Sequence, residues 1–465
     1  MTTPGATAVE IAAGVRSGTV TARDVVAAHL AYIERVDPRY GAFRRVRAAE
    51  ALAEADAVDQ RPDREKLPLA GVPVAIKDHV DVAGEYRGDG SLATSRKPAD
   101  ADHELVTRWR AAGAVVVGLT RVPELCIFPT SDDPGGIARS PWDTRYSAGG
   151  SSGGAAAAVS AGMVPLAHGS DGMGSIRIPA ACCGLVGLKP GDGVTPHAPD
   201  EGGWLGLSEH GVLATTVADT ALGFAVMAGR EPAELETPNR LRIAVSSRSP
   251  VVFAQPDAET KAGLHRVARA LGTAGHSTVG AHPRIPASLQ TLAGAYWVGA
   301  VAAELPAAID ESKLQPRTRT HVALGRAALR AGLVNQQARA RWRERALEFF
   351  EGFDLLVTPV LARPPAPAQS WATQSWWANA QLSTRTAPYP NLWNLASFPA
   401  IAVPAGVRAD GAPASVQLVA PPGGEELLLA VAAELAVVLP WRRHPESAER
   451  LLDGVGKPRD SQTGP

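Results

Sequence analysis

Cysteine is scarce in this chain of 465 residues: Cys126, Cys182 and Cys183 are the only three. They are too few and too badly spaced for a disulfide framework or a zinc site, and read instead as small buried hydrophobes. Charge of one sign is also lacking. Lys and Arg number 46 against 47 Asp and Glu, a net charge of −1, so no basic stripe of the kind that tracks nucleic acid is expected. No run of about 20 strongly apolar residues occurs, and the start, MTTPGATAVEIAAGV, has no basic segment leading into an apolar core. These absences point to a cytoplasmic protein without a membrane span, whose partner is a small molecule rather than a nucleic acid. Eleven histidines are present, but none forms a recognisable metal pair, and neither a metal nor another cofactor is expected.

What the chain does have is a concentrated chemical stretch, residues 148–190, reading AGGSSGGAAAAVSAGMVPLAHGSDGMGSIRIPAACCGLVGLKP. Two serine-bearing glycine loops, 149–154 and 169–175, flank an Ala/Val-rich run suited to one closely packed helix. Glycine permits backbone angles other residues resist, so a serine among glycines can sit exposed at a tight turn. A Gly/Ser linker is the plainest alternative, but an Ala-rich segment that buries its backbone follows at once. A phosphate-binding loop fails because no Lys-Ser or Lys-Thr follows the glycines at the required spacing.

Hydrophobic spacing lays out the remainder. Residues 21–36 form an amphipathic helix, with Thr21 and Asp24 placed as a capping box, and 48–58 form a second helix. Residues 69–76 read as a strand closed by Lys77, which from position alone is a solvated strand end. A helix over 106–112 ending at Gly113, then a buried strand over 114–120, make one unit of an α/β sheet. Residues 123–147 read as a long loop. Helices follow over 216–229 and 258–275, a strand over 241–245, and two or three helices between 289 and 350. The last elements are strands at 400–404 and 414–419 and a helix over 425–438. Trp371, Trp376, Trp377 and Trp393 crowd a loop-like stretch, 364–393, and read as a pocket wall or lid.

GGSSGG, GSDGMGSIRIPA and CGLVGLKP together resemble the signature of the amidase signature family of serine hydrolases. Further matches lie in GVPVAIKD (71–78), AGAVVVGLTRVPE (112–124), FDLLVTP (353–359), 394–406 and 417–419. The resemblance covers nearly the whole chain. It implies a single large α/β domain over 1–457, with a twisted mixed sheet flanked by helices on both faces. N-terminal helices would take 5–60, a catalytic core 66–230 and a helical insertion with the C-terminal part 231–457, leaving 458–465 as a disordered tail.

The same resemblance implies a Ser-Ser-Lys triad that hydrolyses an amide through an acyl-enzyme. Ser175 would be the nucleophile, Ser151 the proton relay behind a cis peptide, and Lys77 the base. Backbone N–H groups of Gly172, Met173, Gly174 and Ser175 would form the oxyanion hole, with Ser152, Asp171 and Arg177 bracing the loops. A free lysine, with a pKa near ~10.4, would be protonated at neutral pH, and desolvation in a closed pocket lowers that value. Met173 stands where glycine is usual, so it either keeps a negative φ or narrows the pocket. Cys126, Ile127 and Phe128 would line the substrate pocket, together with Trp377 and Trp393. Arg121, Arg87 with Gly88, and Ser397 depart from the family pattern and bear on substrate class. A histidine-based triad is the weaker reading, because no GxSxG elbow surrounds Ser151 or Ser175. The alternatives are an esterase or carbamate hydrolase using the same site, a glutaminase-type subunit of an amidotransferase, and a non-catalytic binding protein on the same fold. A small-molecule amide is the expected partner, with a homodimer as the candidate assembly.

Overall fold

Lys77 and the second serine loop come together because two parallel strands lie side by side in one sheet. The computed structural model describes residues 4–197, 203–232, 234–306 and 308–453. The tail at 458–465, expected to be disordered, lies outside the described residues. In chain order the strands are β1 (Phe43–Val46), β2 (Pro73–Lys77), β3 (Val115–Thr120), β4 (Asp132–Asp133), β5 (Gly136–Ile137), β6 (Leu166–Asp171), β7 (Val186–Lys189), β8 (Glu209–Ala214), β9 (Arg242–Val245), β10 (Ser277–Gly280), β11 (Leu355–Pro359), β12 (Ala400–Val407) and β13 (Pro413–Val419). β4 and β5 form a small ribbon inside the predicted 123–147 loop; the other eleven form one sheet in the order β1-β3-β2-β6-β8-β7-β12-β13-β11-β9-β10.

The sheet is mixed. β2 runs parallel to both β3 and β6, and β9 parallel to β10 and β11. The centre, from β6 through β8, β7, β12 and β13 to β11, is antiparallel. Pairing of Ala75 with Ala167 brings the carboxyl ends of β2 and β6 to the same edge, where ligands of α/β sheets commonly bind. The helix Gly153–Ser160 is buried along its entire length and packs on β6, β8, β2 and β3. Its alanines keep it close to the sheet, and at Gly154 a Cβ would come within 2.4 Å of the Ala42 carbonyl oxygen and the Arg121 nitrogen. No larger residue fits there.

Several elements depart from the pattern read in the sequence. The strand expected from 69 begins only at Pro73, because Gly71 adopts φ +67° and turns the chain first. Thr21 caps its helix by accepting from the Asp24 N–H, but the full reciprocal box occurs instead at Thr7 and Glu10, ahead of the helix Ala8–Arg16. The helix begun at Ala22 continues to Tyr40, four residues past the predicted end. The stretch 364–393 contains a 3-10 turn, Trp371–Thr373, the helix Trp376–Thr386 capped by the Ser375 side chain, and the start of the helix Asn391–Leu395. Among the described residues no helix is long and apolar enough to cross a membrane.

Candidate active site

Lys77 ends β2 fully buried, which corrects the solvated strand end suggested by its position alone. Its Nζ lies 2.7 Å from Ser151 Oγ, and it also reaches the hydroxyl of Ser170 at 2.8 Å and the Ser170 carbonyl at 3.2 Å. Burial pushes the amine's pKa down, partly opposed by Cys126, Asp171 and Asp89. The Gly150–Ser151 peptide is cis. Ser131, which the sequence reading missed, ties this loop down: its Oγ donates to the Ser151 carbonyl and accepts from the Gly153 N–H. Ser170 was missed as well, although it lies within the GSDGMGS motif beside Asp171.

Two bonds join the serine loops. The Ser152 N–H donates to the Ser175 carbonyl at 3.1 Å, and Ser152 Oγ to the Ser170 carbonyl at 3.3 Å. Asp171 organises the second loop through its carboxylate, which accepts from the N–H groups of Gly174 (2.6 Å), Ile176 (3.2 Å) and Arg177 (3.4 Å). Arg177 grips the same carboxylate through Nε at 2.9 Å and Nη2 at 3.0 Å, and its Nη1 reaches Gln417 and the Pro390 carbonyl. Asn394, another residue not singled out from sequence, donates to the Asp171 carbonyl at 2.7 Å. Burial would raise the Asp171 pKa, but Arg177 outweighs it and holds the carboxyl well below the usual range. Gly174 turns this loop at φ +118°, whereas Met173 keeps a negative φ. The Gly174 N–H already donates to Asp171 Oδ1, so it is removed from the expected oxyanion set. A single N–H cannot serve both acceptors at full strength.

Ser175 is half-buried and opens on a cavity of about 130 Å³. Ile127, Phe128, Met173 and Ile178 line one side. The helix Leu289–Ala303 offers Gln290, Ala293, Gly294 and Trp297, spaced to share one face. Ser383, Thr384, Ala387, Pro388 and Asn391 line the cavity as well. The stretch 364–393 therefore borders the cavity, but not through the tryptophans expected to do so. Trp377 is 70% exposed. Trp393 is buried in a separate aromatic cluster with Trp342, Phe350 and Phe398. Neither lines the cavity: the helix Trp376–Thr386 brings its final residues to it and leaves Trp377 outside, and the Trp393 ring is taken up by its own cluster.

Cys126 also lies off the cavity wall, unlike Ile127 and Phe128. It sits behind Lys77 with His79, so its surroundings are charged rather than apolar. Burial would push the His79 imidazole down, but Cys126 and the Asp89 carboxylate, 2.8 Å from Nδ1, outweigh it and raise the pKa to about 10. Cys182 and Cys183 are the buried, unpaired thiols expected. The departures from the family pattern point elsewhere: Arg121 pairs with Asp133, Arg87 with Asp89, and Ser397 accepts from Arg339. None of these lines the cavity.

Two tryptophans not singled out do line it, Trp297 and Trp204. Trp204 and Leu205 occupy left-handed backbone at φ +56° and +55°, a conformation costing roughly 1–2 kcal/mol per residue. The Glu304 carboxylate holds this turn by accepting both N–H groups, at 2.8 and 2.6 Å, and Arg339 donates to the Leu205 carbonyl at 2.9 Å. The Trp204 ring thereby lies against Gly172, 3.1 Å from where a Cβ would stand. Among the described residues no group of three or more His, Cys, Asp or Glu could hold a metal ion.

Comparison with known proteins agrees with this arrangement. The family profile described as Amidase matches residues 24–429. AmiB2 of Mycobacterium tuberculosis, named as an inferred amidase, is 40% identical over 441 residues, which cover 91% of this chain and 94% of that protein. The substrate complex of 6-aminohexanoate cyclic dimer hydrolase superposes with a TM-score of 0.86 at 29% identity, covering 95% of this chain and 99% of that one. A bacterial aryl acylamidase of the amidase signature family has the same fold, with a TM-score of 0.80 at 23% identity over 97% of this chain and 99% of its own. With the profile spanning most of its length, the chain belongs to the amidase signature family, hydrolases that act on amide C–N bonds.

Proposed function

We propose that this amidase works through Ser175 as nucleophile, Ser151 as proton relay and Lys77 as base, on an uncharged amide seated in the adjoining cavity. The observation that carries the reading is the fully buried Lys77 amine, 2.7 Å from Ser151 Oγ. A lysine whose pKa is lowered by burial can be neutral, and a neutral amine accepts the Ser151 proton. Ser151 in turn takes the proton of Ser175 as its Oγ bonds to the substrate carbonyl carbon. The developing oxyanion is received by N–H groups of Gly172, Met173 and Ser175. As the C–N bond breaks, the proton returns from Lys77 through Ser151 to the leaving nitrogen, which makes the amine a competent leaving group. Water then repeats the sequence on the acyl-enzyme, releasing the acid and restoring Ser175.

Ser152, Asp171 and Arg177 act here as positioning residues, keeping the two loops at fixed separation through the bonds already described. The test is covalent. A fluorophosphonate should attach to Ser175, be mapped there by peptide mass spectrometry, and fail to label Ser175→Ala. An adduct on any other serine would sink the assignment.

A further inference from the structure

Gly203, Trp204, Leu205 and Gly206 are consecutively left-handed, at φ +59°, +56°, +55° and +75°. Glycine takes this backbone freely, but tryptophan and leucine do so only where their surroundings insist, and such positions cluster at functional sites. Here the surroundings are polar and specific. The Leu207 N–H closes the turn on the Gly203 carbonyl at 2.9 Å. The Glu304 carboxylate accepts from the Trp204 and Leu205 N–H groups, and Arg339 donates to the Leu205 and Gly206 carbonyls. The Asn394 amide ties the turn to the second serine loop, donating to the Leu207 carbonyl at 3.1 Å and to the Asp171 carbonyl at 2.7 Å.

The turn delivers one side chain to that loop. Indole atoms Cε3, Cδ2 and Cγ of Trp204 stand 3.1, 3.3 and 3.6 Å from where a Cβ of Gly172 would be, so the ring fills the place of a side chain at 172. Asp171 braces the far part of the loop through the N–H groups of Gly174, Ile176 and Arg177. Asn394 holds the Asp171 carbonyl, so the Gly172 N–H of the same planar trans peptide points the opposite way, and the ring against Gly172 resists its turning. We propose that Trp204 is a positioning residue for the oxyanion hole, with Glu304 as the clamp that sets it: the indole pressed on Gly172 keeps that residue's N–H aimed at the developing oxyanion. This rests on the reading of Gly172 as an oxyanion donor and Ser175 as nucleophile. A donor held in place in advance stabilises the transition state without reorganising, so its contribution falls on kcat rather than on substrate binding.

Trp204 also lines the cavity, whereas Glu304 is not among the described residues that do, so substitution at 304 separates positioning from substrate contact. In Glu304→Gln one carboxylate oxygen becomes an NH2 group facing a backbone N–H, and the turn loses a bond. Turnover of an aryl amide is measured per Ser175 titrated to completion with a fluorophosphonate, which counts only folded, competent enzyme. In Glu304→Gln kcat should fall about 10- to 100-fold, with KM within about threefold of the wild type. Trp204→Ala should lower kcat by a similar factor and raise KM as well, since part of the wall is lost; Trp204→Phe, which keeps a ring against Gly172, should restore most of kcat. A trifluoromethyl ketone gives an independent reading, because addition of Ser175 Oγ to its carbonyl carbon leaves the oxyanion in the hole. Its affinity should fall in Glu304→Gln by the same factor as kcat/KM. Unchanged kcat in Glu304→Gln, a loss there confined to KM, or a Trp204→Phe enzyme as slow as Trp204→Ala overturns the proposal. Absence of any adduct on wild-type Ser175 sinks the nucleophile reading beneath it; an adduct whose affinity ignores both substitutions sinks the Trp204 assignment alone.

Discussion

The serine loops and the helical wall that faces them are built from different side chains. On the reacting side, Lys77, Ser151, Ser152, Asp171 and Arg177 are all at most 1% exposed. Each has hydrogen-bond partners within the fold, and Arg177 alone contacts Asp171, Pro390, Gln417 and Asn394. On the facing wall the described residues mix aromatic and apolar side chains with Ser383 and Thr384, whose hydroxyls donate to carbonyls of their own helix. A network this saturated fixes the positions of reacting groups before substrate arrives, which is the arrangement electrostatic catalysis requires. The wall instead presents aromatic surface from Trp204 and Trp297. Chemistry and recognition are thus separated between the end of a sheet and a set of helices.

The sharpest way to break the reacting side is Lys77→Ala. Amide turnover should fall by roughly 10²–10⁴-fold, and turnover of a matched aryl ester by less, since a phenoxide departs without the proton that an amine needs. The pH profile gives an independent reading. Because burial lowers the Lys77 pKa, wild-type activity is present above that folded value and is lost as the pH falls through it; the variant should lack this acidic limb. Stability carries the same sign. Between the folded value and the unfolded ~10.4, the unfolded chain binds more protons, so Lys77's contribution to stability improves as pH rises. Equal losses on amide and ester with the limb intact would assign the base to another group, with His168 next to be tried.

Removing the brace should act on the fold more than on the chemistry. Arg177→Met leaves the Asp171 carboxylate buried without its cation, a change expected to cost about 3–5 kcal/mol. Thermal or denaturant melting would read that loss, while activity per folded molecule should fall less than in Lys77→Ala. An unchanged melting curve would mean that Asn394 and the backbone N–H groups satisfy Asp171 by themselves.

The two sides also differed in how far the sequence revealed them. Ser151, Ser152, Asp171, Ser175 and Arg177 fall within one short stretch, where glycine spacing and serine placement announce the chemistry locally. Lys77 lay outside it and read as a solvated strand end until the resemblance gave it a role; parallel pairing of β2 with β6 is what brings it in. Ser170 was overlooked for the same reason, because its importance comes from the neighbouring strand rather than from its own motif. The wall was scarcely legible. Gln290, Trp204, Glu304 and Asn391 are spread over nearly two hundred residues, and only tertiary packing makes them neighbours. Met173 could be read as keeping a negative φ or as narrowing the pocket; it lines the cavity with ordinary backbone, and Gly174 makes the turn.

Tryptophan composition misled most plainly, and the contrast between Trp297 and Trp377 offers the finest test of the wall. Trp297 is half-buried, meets Phe128 edge-on at 6.0 Å and stacks with Trp376 at 5.7 Å. Trp376 therefore backs a wall residue, and Trp377 packs against it from outside at 4.7 Å. Trp297→Ala removes aromatic surface facing the substrate and frees the Ile127 carbonyl, so the KM for an aryl amide should rise about tenfold, with a smaller rise for a short alkyl amide. Trp377→Ala changes a residue that is 70% exposed, and the expected effect is within about 0.5 kcal/mol on stability and twofold on kcat/KM. Steady-state kinetics on the same two amides decides it. If Trp377→Ala shifts the aryl-to-alkyl ratio as strongly as Trp297→Ala, the start of the helix Trp376–Thr386 closes over bound substrate. The tryptophan-rich stretch would then act as the lid its composition suggested.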